Sequence, residues 1–132
     1  MRRTGKWQAV EGGTIFNESP DVSITVDTSD HGVLMAIDGE MDAATADTVS
    51  RALEAVVGRA IEATGHPDSH QVVVDLSHVS FIDSRGLLVL VRGRTRLAQR
   101  RVRLLIRNPQ PQARRLFELA LGGEQFEEAS EA

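Results

Sequence analysis

The chain has 132 residues, enough for one domain, and its composition of 41% hydrophobic but only 4% aromatic residues predicts an aliphatic core. The absence of cysteine excludes disulfides, thiolate zinc sites and thiol catalysis, and without a secretory leader or an apolar run of about 18 residues we expect a soluble cytoplasmic protein. The formal net charge of −4 hides an asymmetry, because residues 85–115 carry ten arginines and no acid, whereas the remainder carries five basic and nineteen acidic residues.

The arginine-rich segment predicts a binding surface. A basic face usually meets phosphate or an acidic protein surface. Surfaces that bind single-stranded nucleic acid often place aromatic side chains among the arginines for base stacking, and residues 85–115 contain no aromatic residue. We therefore favour an acidic protein partner over direct nucleic-acid binding. Arg92, Arg96 and Arg100 are four residues apart and are predicted to form one exposed row on a helix.

The hydrophobic pattern predicts alternating strands and helices between two tails. Residues 1–20 show no periodicity and are expected to be a flexible N-terminal tail with at most a short strand near residues 14–16, residues 21–127 the domain, and residues 128–132 an acidic C-terminal tail. The predicted elements are, in chain order, a strand over 22–26, a strand over 33–37, a helix capped by Asp42 that ends by Gly65-His66-Pro67, a strand over 72–76, a helix over 84–99, a strand over 102–106, a helix from Asn108-Pro109 to Gly122-Gly123, and a short strand over 125–127.

This order, β-β-α-β-α-β-α, predicts a single α/β domain. The mixed sheet should have four to five strands: a hairpin first, then parallel strands joined by right-handed helical crossovers. Gly93 lies inside a predicted helix, where glycine costs about 1 kcal/mol relative to alanine, so we expect it to permit close packing. The residues predicted to be buried are Leu53, Val73, Leu76, Leu87, Leu104, Ile106 and Leu116.

The most informative motif is Phe81-Ile82-Asp83-Ser84-Arg85-Gly86-Leu87, between an apolar strand and an amphipathic helix. Ser84 is predicted to lie at the helix start, where unpaired backbone N–H groups and a positive partial charge tolerate a phosphate. Gly86 allows another backbone or a bulky ligand to approach closely. Asp and Ser at a helix start most often serve only as caps, but an exposed serine in this setting is also a candidate for covalent modification.

A second segment strengthens the functional interpretation. The predicted strand over 33–37 runs into Gly39-Glu40-Met41-Asp42, a G-E-x-D turn that precedes a helix. The pair of motifs, G-E-x-D followed by D-S-x-G-L at this spacing, resembles the STAS family, the domain of anti-sigma factor antagonists and of sulfate-transporter tails. The resemblance extends over about residues 22–126, and the family has the same order of elements.

The resemblance implies an anti-anti-sigma factor, a binding module and not an enzyme, that regulates bacterial transcription by partner switching, as in stress responses. In this family the unmodified domain binds an anti-sigma factor, often a serine/threonine kinase of the histidine-kinase-like ATPase type, and so frees a sigma factor. Phosphorylation of the motif serine ends that binding, and a metal-dependent phosphatase restores it. ATP and magnesium belong to the partner, so no cofactor is expected in this chain. The resemblance implies Ser84 as phosphoacceptor and, as partner-binding residues, Asp83, Arg85, Gly86, Gly39, Glu40, Asp42 and Arg92.

Arg85 departs from the family pattern, in which a small residue often follows the serine. A guanidinium there could pair with the phosphate and prolong the modified state, or alter which kinase docks. Two alternatives stay open: an unphosphorylated STAS scaffold or sensor and, less favoured, a nucleic-acid binder. The sequence does not decide between a monomer and a homodimer.

Other chemistries lack their motifs. There is no glycine-rich phosphate loop for a nucleotide, and no G-x-S-x-G elbow for a serine hydrolase. The residue types of a hydrolase triad occur at Asp75, Ser77, His78 and Ser84. The acidic residues Asp38, Glu40 and Asp42 are better explained by turn formation and capping than by a cation site. The histidines fall in predicted loops without metal-ligand spacing, at positions 31, 66, 70 and 78.

Overall fold

The computed structural model describes residues 7–10, 13–19, 21–29, 32–62 and 70–129. Its elements are β1 (Trp7–Val10), β2 (Gly13–Ser19), β3 (Val22–Ser29), β4 (Gly32–Met41), α1 (Ala46–Glu62), β5 (Gln71–Ile82), α2 (Ser84–Gln99), β6 (Arg103–Arg107), α3 (Pro111–Leu121) and β7 (Glu127–Glu128). None of these described helices is both long enough and apolar enough to cross a membrane.

All strands join one sheet in the order β1-β2-β3-β4-β5-β6-β7. Neighbours from β1 to β4 are antiparallel, and neighbours from β4 to β7 are parallel. Antiparallel neighbours need only tight turns, whereas each parallel pair needs a crossover, which α1, α2 and α3 provide. The predicted α/β class, with a hairpin followed by parallel strands and three helices, is confirmed.

The described part of the sheet has seven strands rather than four or five. The extra strands, β1 and β2, lie within residues 1–20, which we predicted to be a flexible tail. They form because β2 pairs with β3, with Ile15 opposite Thr25, and β1 pairs with β2. Pairing with an existing strand satisfies backbone groups without needing an alternating apolar pattern, so the sequence signal there was weak. The domain boundaries at residues 21 and 127 stay a prediction.

The core lies between one face of the sheet and the helices. Five of the seven predicted core residues are buried, namely Leu53, Leu76, Leu87, Leu104 and Ile106. Val73 is only half-buried, because Val72, Val74 and Leu76 take the inward positions of β5 and Val73 faces the other side of the sheet. Leu116 packs at the edge of the core and is also half-buried, while Ala113 and Phe117 are the buried residues of α3.

Two predicted helix starts were wrong, by three residues for α1 and by two for α3. Helix α1 begins at Ala46 rather than beside Asp42, because residues 42–45 form a turn. Helix α3 begins at Pro111 with Gln110 as N-cap, because Gln110 precedes a proline and is extended, with a ψ of 160°, so a helix starting beside Asn108 could not continue through it. The predicted end of the first helix at residues 65–67 lies outside the described residues. Helix α2 has its predicted bounds, and α3 ends immediately before Gly122 and Gly123.

Candidate functional site

The two sequence motifs meet at one edge of the sheet. Strands β4 and β5 are parallel neighbours, so the loops that follow them leave the sheet side by side, with Met41 opposite Ile82. The Asp83 backbone N–H donates to the Met41 carbonyl over 3.1 Å, which fixes the end of β4 to the start of α2. The G-E-x-D and D-S-x-G segments therefore build one continuous surface, although more than forty residues separate them in the chain.

Asp83 is the N-cap of α2 and leaves Ser84 free. Its extended backbone places Oδ1 where it accepts from the N–H groups of Arg85 at 2.9 Å and Gly86 at 3.0 Å. Ser84 is the first residue of the helix and is exposed, and its hydroxyl makes no hydrogen bond to any described residue. The site thus presents one solvent-facing hydroxyl at a helix start whose next two amides are already occupied by a carboxylate.

Gly86 permits the close approach of another backbone, as predicted, and that backbone belongs to β4 of the same chain. The glycine itself is buried, so its own atoms offer little surface to a partner. A Cβ built on Gly86 would lie 2.8 Å from the Met41 Cβ and 2.9 Å from the Ile82 Cγ1, and closer still to the Met41 carbonyl oxygen. The glycine is therefore required for α2 to begin directly against the ends of β4 and β5.

The loop after β4 is held by Asp42 and Thr45. The Asp42 carboxylate accepts from the N–H groups of Ala44 and Thr45, and the Thr45 hydroxyl donates to the Glu40 carbonyl over 2.7 Å and accepts from the Asp42 N–H. Thr45 is fully buried and was missed by the sequence reasoning, although its position three residues after Asp42 is a capping spacing. Asp42 thus shapes the turn that precedes α1, and the helix begins one turn later than predicted.

Gly39 and Glu40 complete that edge. Gly39 has a φ of 129°, and a Cβ there would lie 3.1 Å from the Asp21 carbonyl carbon, so only glycine fits. The Glu40 N–H donates to the Asp21 carbonyl over 3.2 Å, which locks the bulge between Gly39 and Glu40. Glu40 lies beside Phe81, its partner on β5. Gly39 contributes only its backbone conformation to this edge.

Two glutamines of the α3 region brace the last half of β5, and sequence reasoning did not identify them. Strand β6 pairs with β5 only up to Asp75, which leaves the following residues without that neighbour. Gln112 supplies both missing bonds of Ile82, with its Oε1 accepting at 3.0 Å and its Nε2 donating at 2.8 Å. Gln110 Nε2 donates to the Ser77 carbonyl over 2.6 Å. These bonds hold the segment that leads into Asp83 and Ser84.

Exposed apolar side chains flank Ser84. Phe81 is 43% exposed and lies three residues before it, and Leu88 is 38% exposed and lies one helical turn after it. Among residues 21–29, 32–62 and 70–129, Leu119 is the one other large exposed hydrophobic residue. Aromatic residues are enriched in protein–protein interfaces, so the exposed Phe81 makes this edge a candidate protein-binding surface.

Comparison with known proteins identifies the family. The family model of the STAS domain matches residues 23–124, which is most of the chain. The chain belongs to the STAS domain family. A search of curated proteins found no significant match.

Solved structures agree with this assignment. An anti-sigma factor antagonist from Mycobacterium paratuberculosis is 26% identical, with a TM-score of 0.67 over 85% of this chain and 90% of that one. The anti-sigma factor antagonist SpoIIAA in its unphosphorylated form is 18% identical, with a TM-score of 0.62 over 82% and 89%. The Bacillus cell fate determinant SpoIIAA in its phosphorylated form is 18% identical, with a TM-score of 0.58 over 82% and 92%. The two SpoIIAA structures support the fold alone.

The arginines of this STAS domain divide into paired and unpaired groups. Arg96 forms an ion pair with Glu54 of α1, and Arg94 donates to the Glu124 and Gln125 carbonyls while stacking on Phe126. Others make no side-chain hydrogen bond or ion pair with a described residue: Arg85, Arg92 and Arg100. Within the predicted row of Arg92, Arg96 and Arg100, the charge of Arg96 is partly neutralised by Glu54.

Asp75 is held by Arg107, away from any catalytic arrangement. Burial raises the pKa of Asp75, but hydrogen bonds from Ser77 and Arg107 and the charge of Arg107 outweigh it and leave the pKa below its ordinary value. The Ser77 hydroxyl lies 3.3 Å from Nδ1 of His78, and neither residue hydrogen-bonds to Ser84. The residue types of a hydrolase triad are therefore not assembled. Within the described ranges, no group of three His, Asp or Glu side chains is placed to hold a metal ion.

Proposed function

We propose that this STAS domain is an anti-sigma factor antagonist whose binding is switched by phosphorylation of Ser84. The unphosphorylated domain binds an anti-sigma factor kinase of the histidine-kinase-like ATPase type through the surface around Ser84, and a sigma factor is thereby released. The observation that carries the proposal is the exposed, unbonded Ser84 hydroxyl between Phe81 and Leu88, on an edge built by two motifs. The likeness to an antagonist that covers 90% of that protein supports it.

The covalent step uses the partner's nucleotide. The Ser84 Oγ attacks the γ-phosphorus of ATP bound by the kinase with magnesium, and the bond from that phosphorus to the β,γ-bridging oxygen breaks. ADP leaves, and the hydroxyl proton passes to a basic group of the kinase or to water. A metal-dependent phosphatase reverses the modification with water, which returns the serine and releases inorganic phosphate. Partner residues supply all of the catalysis.

Electrostatics explain why phosphorylation would release the partner. A phosphoserine adds about −1.5 to −2 charges, and here it would stand beside the Asp83 carboxylate. Asp83 already accepts from the Arg85 and Gly86 amides, so these cannot neutralise the phosphate without giving up the cap. Arg85 is then the adjacent cation that can pair with the phosphate. A docked kinase would add the negative charge of its own nucleotide phosphates, which repel the phosphoserine. To move a partner from almost fully bound to almost fully free takes about 5.5 kcal/mol of differential binding.

The test compares Ser84→Ala, Ser84→Glu and the wild type in titration calorimetry against the anti-sigma factor kinase that copurifies with the Ser84→Ala chain from its host. The complex of Ser84→Ala with the kinase should persist in the presence of ATP. Ser84→Glu should bind the kinase poorly while its melting temperature stays near that of the wild type. Thr95→Glu is the matched control, because it adds the same charge to an exposed site on the same helix. The mass of one phosphoryl group should appear on the wild type and not on Ser84→Ala.

Equal affinities for wild type, Ser84→Ala and Ser84→Glu would contradict the switch. Ser84 would then be a residue of the helix start only, and the second candidate, an unphosphorylated STAS scaffold or sensor, would stand. The exposed pair of Phe81 and Leu88 fits either candidate, since both need a protein partner. A nucleic-acid role has weaker support, because residues 85–115 carry no aromatic side chain for base stacking.

A further inference from the structure

A groove of about 160 Å³ runs between α1 and α2, beginning at Arg85, the neighbour of Ser84. Its floor is apolar, with Leu53 and Leu97 buried and Gly93 between the helices. Gly93 brings the two helices together, because a Cβ there would lie 2.9 Å from Leu53 Cδ1. The groove therefore extends the surface around Ser84 along the length of α2.

The upper walls of the groove are apolar and only partly covered, because Val57 and Val89 pack against the core on one side and leave the other side open. Val57 of α1 and Val89 of α2 are half-buried, and Leu88 is 38% exposed. Side chains of this kind at the mouth of an interhelical groove match the apolar ridge of a third helix, which a partner would supply.

The charges at the rim differ between the two helices. The α2 rim carries Arg85 and Arg92, neither of which is paired with a described residue, and Arg96, which pairs with Glu54 across the groove. Helix α2 contains no acid that could neutralise its arginines. The α1 rim carries Asp47 in the first turn of its helix. A helix that fits this groove would need acidic side chains on the edge facing α2 and neutral or basic ones on the edge facing α1.

We propose that this groove docks an acidic amphipathic helix of the anti-sigma factor, with its apolar ridge between α1 and α2 and its acids against Arg85 and Arg92. The inference rests on the proposed function and deepens it. Contacts near Arg92 lie two helical turns from Ser84, and a phosphate at that distance on an exposed surface is screened. The groove therefore decides which partner docks, and Ser84 decides when that partner is released.

The test measures affinity and phosphorylation kinetics with the same copurifying kinase. Arg92→Glu replaces an attraction with a repulsion and should weaken binding about tenfold. Arg92→Glu should lower the affinity by the same factor whether position 84 is serine or glutamate. In phosphorylation assays Arg92→Glu should raise KM and leave kcat unchanged, because Arg92 does not touch the reacting atoms. Arg115→Glu is the matched control, an exposed arginine on α3 with the same charge change.

A footprint locates the docked helix without relying on charge. The chain has no cysteine, so Ser50→Cys places a single thiol in the groove, and Leu119→Cys places one on α3. The bound kinase should protect the thiol at position 50, and not the thiol at 119, from alkylation by a maleimide. If the wild type binds and Ser84→Glu releases, but Arg92→Glu equals Arg115→Glu and position 50 is unprotected, the groove proposal is overturned and the proposed function stands. If the wild type binds no kinase and is not phosphorylated, both fall together.

Discussion

Gly86→Ala should destabilise the domain strongly, even though alanine is the better helix former. Gly86 is buried in the first turn of α2, where its Cα faces the Met41 and Ile82 side chains and the Met41 carbonyl oxygen. The obstructing atoms include backbone, which cannot rotate away as a side chain can. A methyl group there must push the start of α2 away from the ends of β4 and β5.

The magnitude follows from three contributions. Overpacking against backbone should cost about 3 kcal/mol, the upper part of the usual range. Displacement of the helix start disturbs the Asp83 bonds to Arg85 and Gly86, and a lost N-cap costs about 1 kcal/mol. The higher helix propensity of alanine returns about 1 kcal/mol. We therefore expect a net loss of about 3 kcal/mol and a melting temperature lower by about 10 °C.

Urea denaturation followed by circular dichroism measures this loss, and two other glycines serve as controls. Gly58 lies in α1 with nothing within 4 Å of the position that a Cβ would take, so Gly58→Ala should stabilise by about 0.4–1 kcal/mol. At Gly93 the obstructing atom is the end of the Leu53 side chain, so Gly93→Ala should change stability far less than Gly86→Ala. If Gly86→Ala unfolded within about 0.5 kcal/mol of the wild type, the close packing of α2 on β4 would be refuted.

Two further predictions concern the sheet. Leu104 is buried on β6, so Leu104→Ala should lose about 2–5 kcal/mol in the same denaturation assay, and a loss below about 0.5 kcal/mol would contradict its place in the core. The pKa of Asp75 is lower in the folded than in the unfolded chain, so its charged form stabilises the fold above about pH 5. This stabilisation is lost as the pH falls below about 4 and passes through the folded pKa. The stability advantage of the wild type over Asp75→Asn should therefore shrink between about pH 7 and about pH 3, and a constant difference would contradict the assignment.

Much of the fold could be predicted because local patterns and tertiary structure agree. Helix α2 has its predicted bounds, since Asp83 provides a strong cap and Leu87, Leu90 and Leu97 repeat at helical spacing into the core. The inward face of β5 was harder, because Val72, Val73 and Val74 are all apolar and the alternation does not show which of them points inward. The choice of Val73 as a core residue was wrong for that reason.

The site was predicted less completely than the fold, because several of its supports are distant in sequence. Gln112 satisfies both backbone groups of Ile82 from a helix 30 residues later, and no local pattern marks a glutamine for that role. Gln110 acts in the same way on Ser77. Thr45 could have been found from its capping distance to Asp42, whereas the bond from Glu40 to Asp21 depends on a bulge that only the folded sheet reveals.

The D-S-x-G segment divides into a structural frame and an exposed pair. The Asp83 carboxylate is occupied by the cap of α2, and Gly86 is fixed by packing against Met41. Ser84 and Arg85 are exposed and make no side-chain bond to a described residue, so the fold does not constrain them. We therefore expect a change at Asp83 or Gly86 to lower stability, whereas a change at Ser84 or Arg85 should leave stability nearly unchanged and, under the proposed function, affect only binding. Under the proposed function, Arg85, the departure from the small residue often found there, would tune partner choice and the lifetime of the phosphoserine with little consequence for folding.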